Sequence, residues 1–365
     1  MKRLPMLLVY GCICSQAMAT DYHFTGFGSI VGAQVLDGDG YVANYAAMGR
    51  YDDHFDIIPE TRLGLQGQVI FTDALEVTAQ ITTRGSLDWE PKLEWFYLGY
   101  ELSDSSKIQV GRMRVPAYLY SDYMDVGYAY TFIRVPGDAY SVDVVNYNGA
   151  NITIQNSFGS VDTTVQFYAG REIQKPAVLM SYIRRFEHDR DYTDMYGALF
   201  SISYGASTLR TSYLQTNITE IADPGVVPVF VPILATLADG RVITGDESIT
   251  FYDVALLFDL APVNLVLEYN EYEYYESWLA SISYNSGAWT THLSASAFDL
   301  DEPWEHHTSY ALGVRYDVAS GVALKAQIDL FDDTGENPFS LQPNTICHCE
   351  DGDVSVLSIG ADFVF

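Results

Sequence analysis

The last nine residues, Leu357-Ser-Ile-Gly-Ala-Asp-Phe-Val-Phe365, alternate between two kinds of side chain. The odd positions are apolar, whereas Ser358, Gly360 and Asp362 between them are small or polar. Because successive side chains of a β-strand point to opposite faces, one face of this segment suits lipid and the other suits water. The segment therefore predicts a membrane-spanning β-strand that ends the chain on an aromatic residue.

The opposite end of the chain has the pattern of an export signal. Residues 1–19 begin with basic residues, continue through an apolar stretch and end in Ala17-Met18-Ala19, with small residues where a secretory peptidase needs them. We predict that residues 1–19 are a signal peptide and that residues 20–365 form one domain. A lipoprotein site at Cys12 is the weaker alternative, because the residues before it match a lipobox poorly.

The composition of the chain excludes a nucleic-acid-binding protein. The 365 residues include 19 Lys and Arg against 48 Asp and Glu. Removal of Lys2 and Arg3 with the signal leaves 17 basic residues and a formal charge of −31. Nucleic-acid phosphates require a basic surface instead. We expect the acidic surplus to lie in surface loops, next to divalent cations and lipopolysaccharide.

Segments with the same alternation recur along the whole chain. From Arg62 to Phe71, for example, polar and apolar residues take turns up to the turn at Thr72-Asp73. We predict sixteen strands, at residues 22–36, 60–71, 75–84, 92–101, 106–115, 147–156, 160–171, 194–203, 207–217, 250–259, 263–273, 276–284, 288–299, 308–317, 322–331 and 353–365.

Short and long connections alternate between these segments. Seven short turns fall at every second connection, at residues 72–73, 103–105, 157–159, 204–206, 261–262, 285–287 and 319–321. This alternation is typical of an even-stranded membrane barrel with both ends on the periplasmic side. A soluble β-sandwich has similar alternation, but the export signal, the terminal Phe365 and the length favour a membrane barrel. The predicted fold is an all-β, transmembrane antiparallel β-barrel of about 16 strands, wide enough for an aqueous channel.

The stretch after the fifth predicted strand carries a family resemblance. Its sequence from Gly111 to Pro136, GRMRVPAYLYSDYMDVGYAYTFIRVP, resembles the Gram-negative outer-membrane porins, notably a porin-like group of marine gammaproteobacteria. The C-terminal strand carries the same resemblance, and the rest of the chain shares only the architecture. The resemblance implies a passive diffusion channel for small hydrophilic solutes and ions across the outer membrane of a Gram-negative bacterium.

In these porins the third outward connection, here residues 116–146, folds into the lumen and narrows it. Carboxylates on that loop face a basic cluster on the wall, and three barrels associate. Carried over to this chain, the loop carboxylates are Asp122, Asp125 and Asp138. The wall bases, chosen by strand parity, are Arg62, Arg84, Arg210, Arg315 and Lys325. Opposed charges in a narrow constriction filter solutes by size and charge, and the acidic balance favours a mild cation preference.

Three further arginines lie in or beside this loop. Arg112 and Arg114 share the parity of Ile108 and Val110, which places them in lipid unless a bulge reverses the register or they lie above the hydrocarbon. Facing the lumen is the equally supported alternative, and we include both among the candidate wall bases. We expect Arg134 to anchor the loop to the wall through a salt bridge, with direct solute contact as the alternative.

The remaining motifs indicate neither a cofactor nor a metal site. Cys347-His348-Cys349 is too tightly spaced for a usual structural zinc site. No gathered set of Ser, His or paired carboxylates stands out, so we do not expect an enzyme. The apolar stretch from Gly225 to Leu237 suits a contact with a neighbouring subunit or a fold over the pore mouth.

Two other functions remain open. One is a channel selective for sugars or organic acids, and the other is a surface receptor or adhesin with a closed lumen. The expected partners are solutes and ions, outer-membrane lipid and lipopolysaccharide, and two further copies of the chain.

Overall fold

A computed structural model describes residues 21–38, 40–44, 49–140, 142–301, 306–333 and 353–365 of the chain. The predicted signal peptide and the Cys347-His348-Cys349 motif lie outside the described residues. Strands dominate the described part, whose single α-helix, α1 (Val178–Arg184), is short. No helix among the described residues is long and apolar enough to cross a membrane.

The described residues form nineteen strands. They are β1 (Asp21–Asp37), β2 (Tyr41–Asn44), β3 (Gly49–Tyr51), β4 (Arg62–Thr72), β5 (Leu75–Arg84), β6 (Lys92–Ser103), β7 (Ser106–Arg114), β8 (Asn146–Phe158), β9 (Val161–Gln174), β10 (Asp189–Tyr204), β11 (Ser207–Ala222), β12 (Ala235–Thr236), β13 (Val242–Leu260), β14 (Val263–Tyr272), β15 (Tyr275–Ser286), β16 (Trp289–Leu300), β17 (His306–Ala319), β18 (Val322–Asp333) and β19 (Asp353–Val364).

Sixteen of these strands close into one antiparallel barrel. Each barrel strand pairs with the next along the chain, and β1 pairs with both β4 and β19 to close the wall. The strands outside the barrel are β2 and β3, which form a separate hairpin, and β12, which pairs with the start of β13. The predicted sixteen-strand barrel is confirmed. The main difference is that β11 and β13 extend well into the predicted connection 218–249.

The two faces of the strands have the predicted chemistry. On β19, Leu357 and Ile359 are exposed on the outside of the barrel, whereas Ser358 and Asp362 are buried inside. Large apolar side chains are exposed in the same way on the other barrel strands. A closed barrel satisfies its backbone hydrogen bonds internally, so an apolar outer surface of this kind suits a lipid bilayer.

The short turns at one end of the barrel use glycine where the backbone requires it. Gly205 and Gly287 have φ angles of +61° and +63°. Glycine adopts these left-handed angles without the steric penalty that a side chain brings. The long connections lie at the opposite end, and we call that edge of the barrel the outer rim.

The main packed cluster joins the connection between β7 and β8 to residues of the barrel strands. The chain between β7 and β8, residues 115–145, contributes Tyr118, Phe132 and Tyr140 to this cluster. These side chains pack with inward-facing residues such as Leu214 and Phe251. A second buried cluster joins the β2–β3 hairpin to β18 and β19, where the Tyr41 ring lies 4.5 Å from the Phe331 ring. The 115–145 segment and the hairpin therefore each pack against residues of the barrel strands.

Candidate functional site

The 115–145 segment corresponds to the predicted third loop and is the centre of the candidate site. Its two ends are joined by a hydrogen bond from the Val115 amide to the Val145 carbonyl at 3.0 Å. Three single 3-10 turns, Ser121–Tyr123, Gly127–Ala129 and Gly137–Ala139, give it an irregular path. Such a path leaves many backbone carbonyls outside regular structure, and buried carbonyls require donors from elsewhere.

Lys325 of β18 supplies donors to three of these carbonyls. Its ammonium donates to the carbonyl oxygens of Gly127, Tyr130 and Phe132 at 2.6 to 2.7 Å. The same ammonium forms an ion pair with Asp362 of β19 at 2.8 Å. The Lys325 side chain is almost completely buried, so all of its hydrogen-bonding capacity is directed at the segment and the wall.

Arg134 fastens the segment to three separate parts of the molecule. Its guanidinium donates to the Glu60 carboxylate, which precedes β4, and to Asp329 of β18. It also donates to the Ser358 hydroxyl at 2.7 Å. The guanidinium carbon lies 5.6 Å and 6.0 Å from the ring centroids of Tyr41 and Tyr51 in the β2–β3 hairpin. The segment, the wall and the hairpin therefore meet at this one side chain.

Asp125 is the loop carboxylate that meets the predicted wall bases. It forms ion pairs with Arg84 at 2.7 Å and with Arg114 at 2.6 Å. Arg62 donates from Nε to the Asp125 backbone carbonyl at 2.8 Å. Burial opposes ionisation of Asp125, but the arginines outweigh it and hold the pKa of this carboxyl well below its usual range. Asp125 therefore carries a negative charge at neutral pH.

The opposite side of the segment is held by β11, β13 and β14. Arg210 donates to the carbonyls of Pro116 and Ala117 and pairs with Asp253 at 2.8 Å. The Glu268 carboxylate accepts from the Leu119 amide, and from the Tyr140 hydroxyl, at 2.8 Å each. Contacts with β4, β18 and β19 on one side and with β11 and β14 on the other place the segment between distant parts of the wall.

The other predicted site residues of the segment and the wall have contacts of their own. Asp138 is fully buried, where it accepts from Ser296 at 2.7 Å and lies 2.9 Å from the His307 ring. Arg315 donates to the carbonyls of Tyr128 and Tyr130. Asp122 is exposed, and it is Asp125 that pairs with Arg84 and Arg114.

Arg112 pairs with a different carboxylate from Arg84 and Arg114. It is paired across the strands with Phe96, whose side chain is exposed on the outer surface. Directly paired residues share a face of the sheet, so the Arg112 side chain leaves the backbone on the outer face of the barrel. Its guanidinium donates to the Leu93 carbonyl and to Glu172 at 2.6 Å. Arg114, which ends β7, faces inward instead.

The acidic residues of the wall were missed at the sequence level. Glu60, Asp253, Glu268, Asp329 and Asp362 all contact the segment or its basic partners. Strand parity is the sequence signal that could have found them, because Asp362 and Asp329 lie on the polar face of their strands. Within the described residues, one exposed group, Asp52, Asp53 and His54, has the spacing for a metal ion. Exposed acidic groups of this kind are common, and we assign it no role.

Comparison with known proteins identifies the fold. No family model and no curated protein matches the sequence. Among solved structures, Salmonella typhi OmpF in complex with daunomycin superimposes with a TM-score of 0.60 at 12% identity, covering 94% of this chain and 97% of that one.

Two further structures superimpose over similar lengths. The outer membrane channel DcaP of Acinetobacter baumannii gives a TM-score of 0.57 at 11% identity, covering 95% and 97% of the two chains. A trimer form of OmpT, an outer membrane protein of Vibrio cholerae, gives 0.54 at 12% identity, covering 95% and 100%. At such low identity the similarity establishes the fold alone. The chain has the closed sixteen-strand barrel fold of the outer-membrane porins.

Proposed function

We propose that the protein is a passive diffusion channel in the outer membrane, in which the 115–145 segment narrows the lumen. The observation that carries this proposal is the attachment of one segment to distant parts of the wall. Lys325 binds its carbonyls from β18, and Arg210 binds others from β11. A segment tied to both sides of a water-filled barrel reduces the cross-section available to solutes, and such narrow places set permeability.

The charges along the segment suggest what passes. Asp125 and its arginines form a fixed pattern of opposite charges at the segment, and solutes close to such a pattern experience a local field. We propose small hydrophilic molecules and ions as solutes. The strongly acidic balance of the chain supports a mild preference for cations. Reversal potentials in a salt gradient test the sign of this preference, and anion selectivity would reject it.

The proposed partners follow from the proposed location in the outer membrane. The apolar outer face contacts outer-membrane lipid and lipopolysaccharide in this proposal, and three copies associate. Support for the trimer comes from the structural similarity to a protein described in a trimer form. Light scattering of the folded protein in detergent tests the assembly, and a monomer would reject it.

The burial of the barrel interior favours a second candidate. Tyr192 and Asn270 of the wall are fully buried and donate hydrogen bonds to Asp143 and to the Ala139 carbonyl of the segment. A surface receptor or adhesin with a closed lumen would have the same feature. The two candidates differ in conductance, since the receptor passes no current.

Reconstitution separates these functions. We expect planar bilayers containing the refolded protein to show small, ohmic single-channel steps. Liposome swelling with sugars and amino acids of graded size should then show permeation that falls steeply with size. Silent bilayers would support the receptor, and lipase or protease activity of the refolded protein would reject both candidates in favour of an enzyme.

A further inference from the structure

A cavity of about 520 Å³ lies at the outer rim above the 115–145 segment. Its walls come from the outer ends of five consecutive strands, since Arg84 ends β5, Lys92 begins β6, Arg114 ends β7, Asn146 begins β8 and Gln174 ends β9. Helix α1 forms another side through Val178 and Leu179. A volume of this size is typical of sites that bind small molecules.

The cavity lining carries one positive charge in excess, although the chain is strongly acidic. Its lining contains five cations, Arg84, Lys92, Arg112, Arg114 and Lys175, against four carboxylates, Glu94, Asp125, Asp143 and Glu172. The chain as a whole has a formal charge of −29. A local surplus of positive charge attracts anions, and low-dielectric walls strengthen that attraction.

The four carboxylates already have cationic partners. Glu94 and Asp125 pair with Arg84, and Glu172 pairs with Arg112 at 2.6 Å. Asp143 accepts from Tyr192 at 2.6 Å and lies 3.5 Å from Arg190. An anion that enters the cavity therefore meets neutralised carboxylates. The charge of Lys92 is matched by Glu90 at 2.9 Å and that of Arg112 by Glu172, so the exposed Lys175 is the cation of this lining that has no ion pair among the described residues. The Arg112 side chain beside it is partly exposed and can donate a further hydrogen bond.

The rest of the lining is largely apolar. Leu87, Leu93, Met124, Val145, Ile173 and Val178 contribute side chains to the cavity. Apolar surface of this kind stabilises a ligand that brings its own apolar surface. A simple inorganic anion would leave this part of the lining unused.

We propose that this cavity binds small organic acids that combine one carboxylate with an apolar body. The carboxylate lies between Arg112 and Lys175, and the body lies against Leu93 and Val178. The inference deepens the proposed function, on which it rests, by naming the class of solute that collects at the channel entrance. Binding and conduction are separate measurements, so either can fail alone.

Benzoate is a suitable probe, with benzamide as its uncharged counterpart of similar shape. We expect isothermal titration of the refolded barrel in detergent at low salt to show saturable benzoate binding. Benzamide should bind about tenfold more weakly, because one charge-assisted hydrogen bond accounts for a factor of that order. Equal affinity for the two compounds would overturn the proposal, because the cavity would then not recognise the charge.

Three variants and one control locate the site. Arg112→Gln should weaken benzoate binding about tenfold, and Lys175→Gln severalfold. Val178→Asp leaves both cations in place but adds a negative charge beside them, so it should abolish binding. The matched control is Arg241→Gln, which removes a partly exposed arginine that pairs with Asp239 and Asp189 outside the cavity. Unchanged benzoate affinity in all three cavity variants, with each folded by circular dichroism, would overturn the assignment.

Two further comparisons separate the alternatives. If the refolded barrel binds lipopolysaccharide through Arg112 and Lys175 but does not bind benzoate, the basic rim serves lipid headgroups and the proposal is wrong. Single-channel currents of the same preparation test the proposed function independently. Benzoate binding without conductance rejects only the channel, and conductance without benzoate binding rejects only the organic-acid site.

Discussion

The guanidinium of Arg134 lies against the carboxylate of Glu60, with Nε 3.0 Å from each carboxylate oxygen. Both side chains are almost completely buried, Arg134 in the 115–145 segment and Glu60 just before β4. Asp329 shares the same guanidinium. A buried cation with two carboxylate partners is costly to dismantle, because removal of one member leaves uncompensated charge in a dry environment. This cluster therefore determines how firmly the segment is held.

Replacement of Arg134 tests that conclusion. Arg134→Met leaves the Glu60 and Asp329 carboxylates without their common cation, and we expect a loss of about 3–5 kcal/mol in unfolding free energy. The control is Arg171→Met, which breaks a half-exposed pair with Asp191 and should cost less than about 1 kcal/mol. Urea unfolding of both variants in detergent provides the comparison. Equal losses would contradict an anchoring role for Arg134.

The segment lies so close to the wall at Gly127 that we expect Gly127→Ala to displace it. A Cβ atom at Gly127 would lie 2.3 Å from Asp362 Oδ1 and 2.5 Å from Ser29 Oγ. The segment must then move away from β1 and β19, at a cost of about 1–3 kcal/mol. Single-channel conductance should change with it. Gly225→Ala is the control, since a Cβ there meets no atom within 4 Å. A Gly127→Ala barrel with unchanged stability and conductance would show that the contact is not close.

The lowered pKa of Asp125 predicts a pH dependence that is confined to acid. The unfolded chain protonates this carboxyl near its ordinary pKa of about 3.9, and the folded protein does so at lower pH. Its contribution to stability is therefore present above about pH 4 and is lost as the pH falls through the folded value. The difference in melting temperature between the parent and Asp125→Asn should be constant from about pH 7 to 5 and should close toward about pH 2. A difference that disappears near neutral pH would contradict the arginine pairing.

The apolar segment from Gly225 to Leu237 predicts a contact between subunits. Val229 and Phe230 are highly exposed in the single chain, an unfavourable arrangement unless a neighbour covers them. Replacement of residues 225–237 by a Gly-Ser linker of equal length should lower the melting temperature of the trimer and leave the current per barrel unchanged. An unchanged melting temperature would rule out the subunit contact. An altered current per barrel would indicate a role at the pore mouth instead.

The sequence predicted the barrel well for a physical reason. Lipid outside and a polar interior impose an alternation of period two on every strand, and a shift of one residue would reverse both faces. The alternation near residues 218–249 is interrupted by apolar and proline residues, so the extension of β11 and β13 was missed. Parity placed both Arg112 and Arg114 on the lipid face unless a bulge reversed the register. In the structure the Arg112 side chain leaves the backbone on the outer face and pairs with Glu172, whereas Arg114 pairs with Asp125.

The site was only partly predictable. Asp125 was proposed from the porin resemblance, whereas Arg62 and Arg84 were proposed from inward strand parity, which is visible in a sequence. Most other wall bases bind backbone carbonyls, as Lys325 does at Gly127, and any residue type supplies a carbonyl. The start of the segment, from Val115 to Tyr120, contains no charged residue that would indicate Arg210 as its partner. Such contacts depend on the folded path of the segment, which local sequence does not determine.

The central claim is that the 115–145 segment narrows a conducting barrel. The most direct test compares single-channel currents of the parent with a variant in which residues 118–143 are replaced by a short Gly-Ser linker, both in planar bilayers at 1 M KCl. The account predicts small, steady steps for the parent and steps several times larger for the variant. Identical steps, or a parent that is silent under all voltages while folded as a barrel, would contradict it.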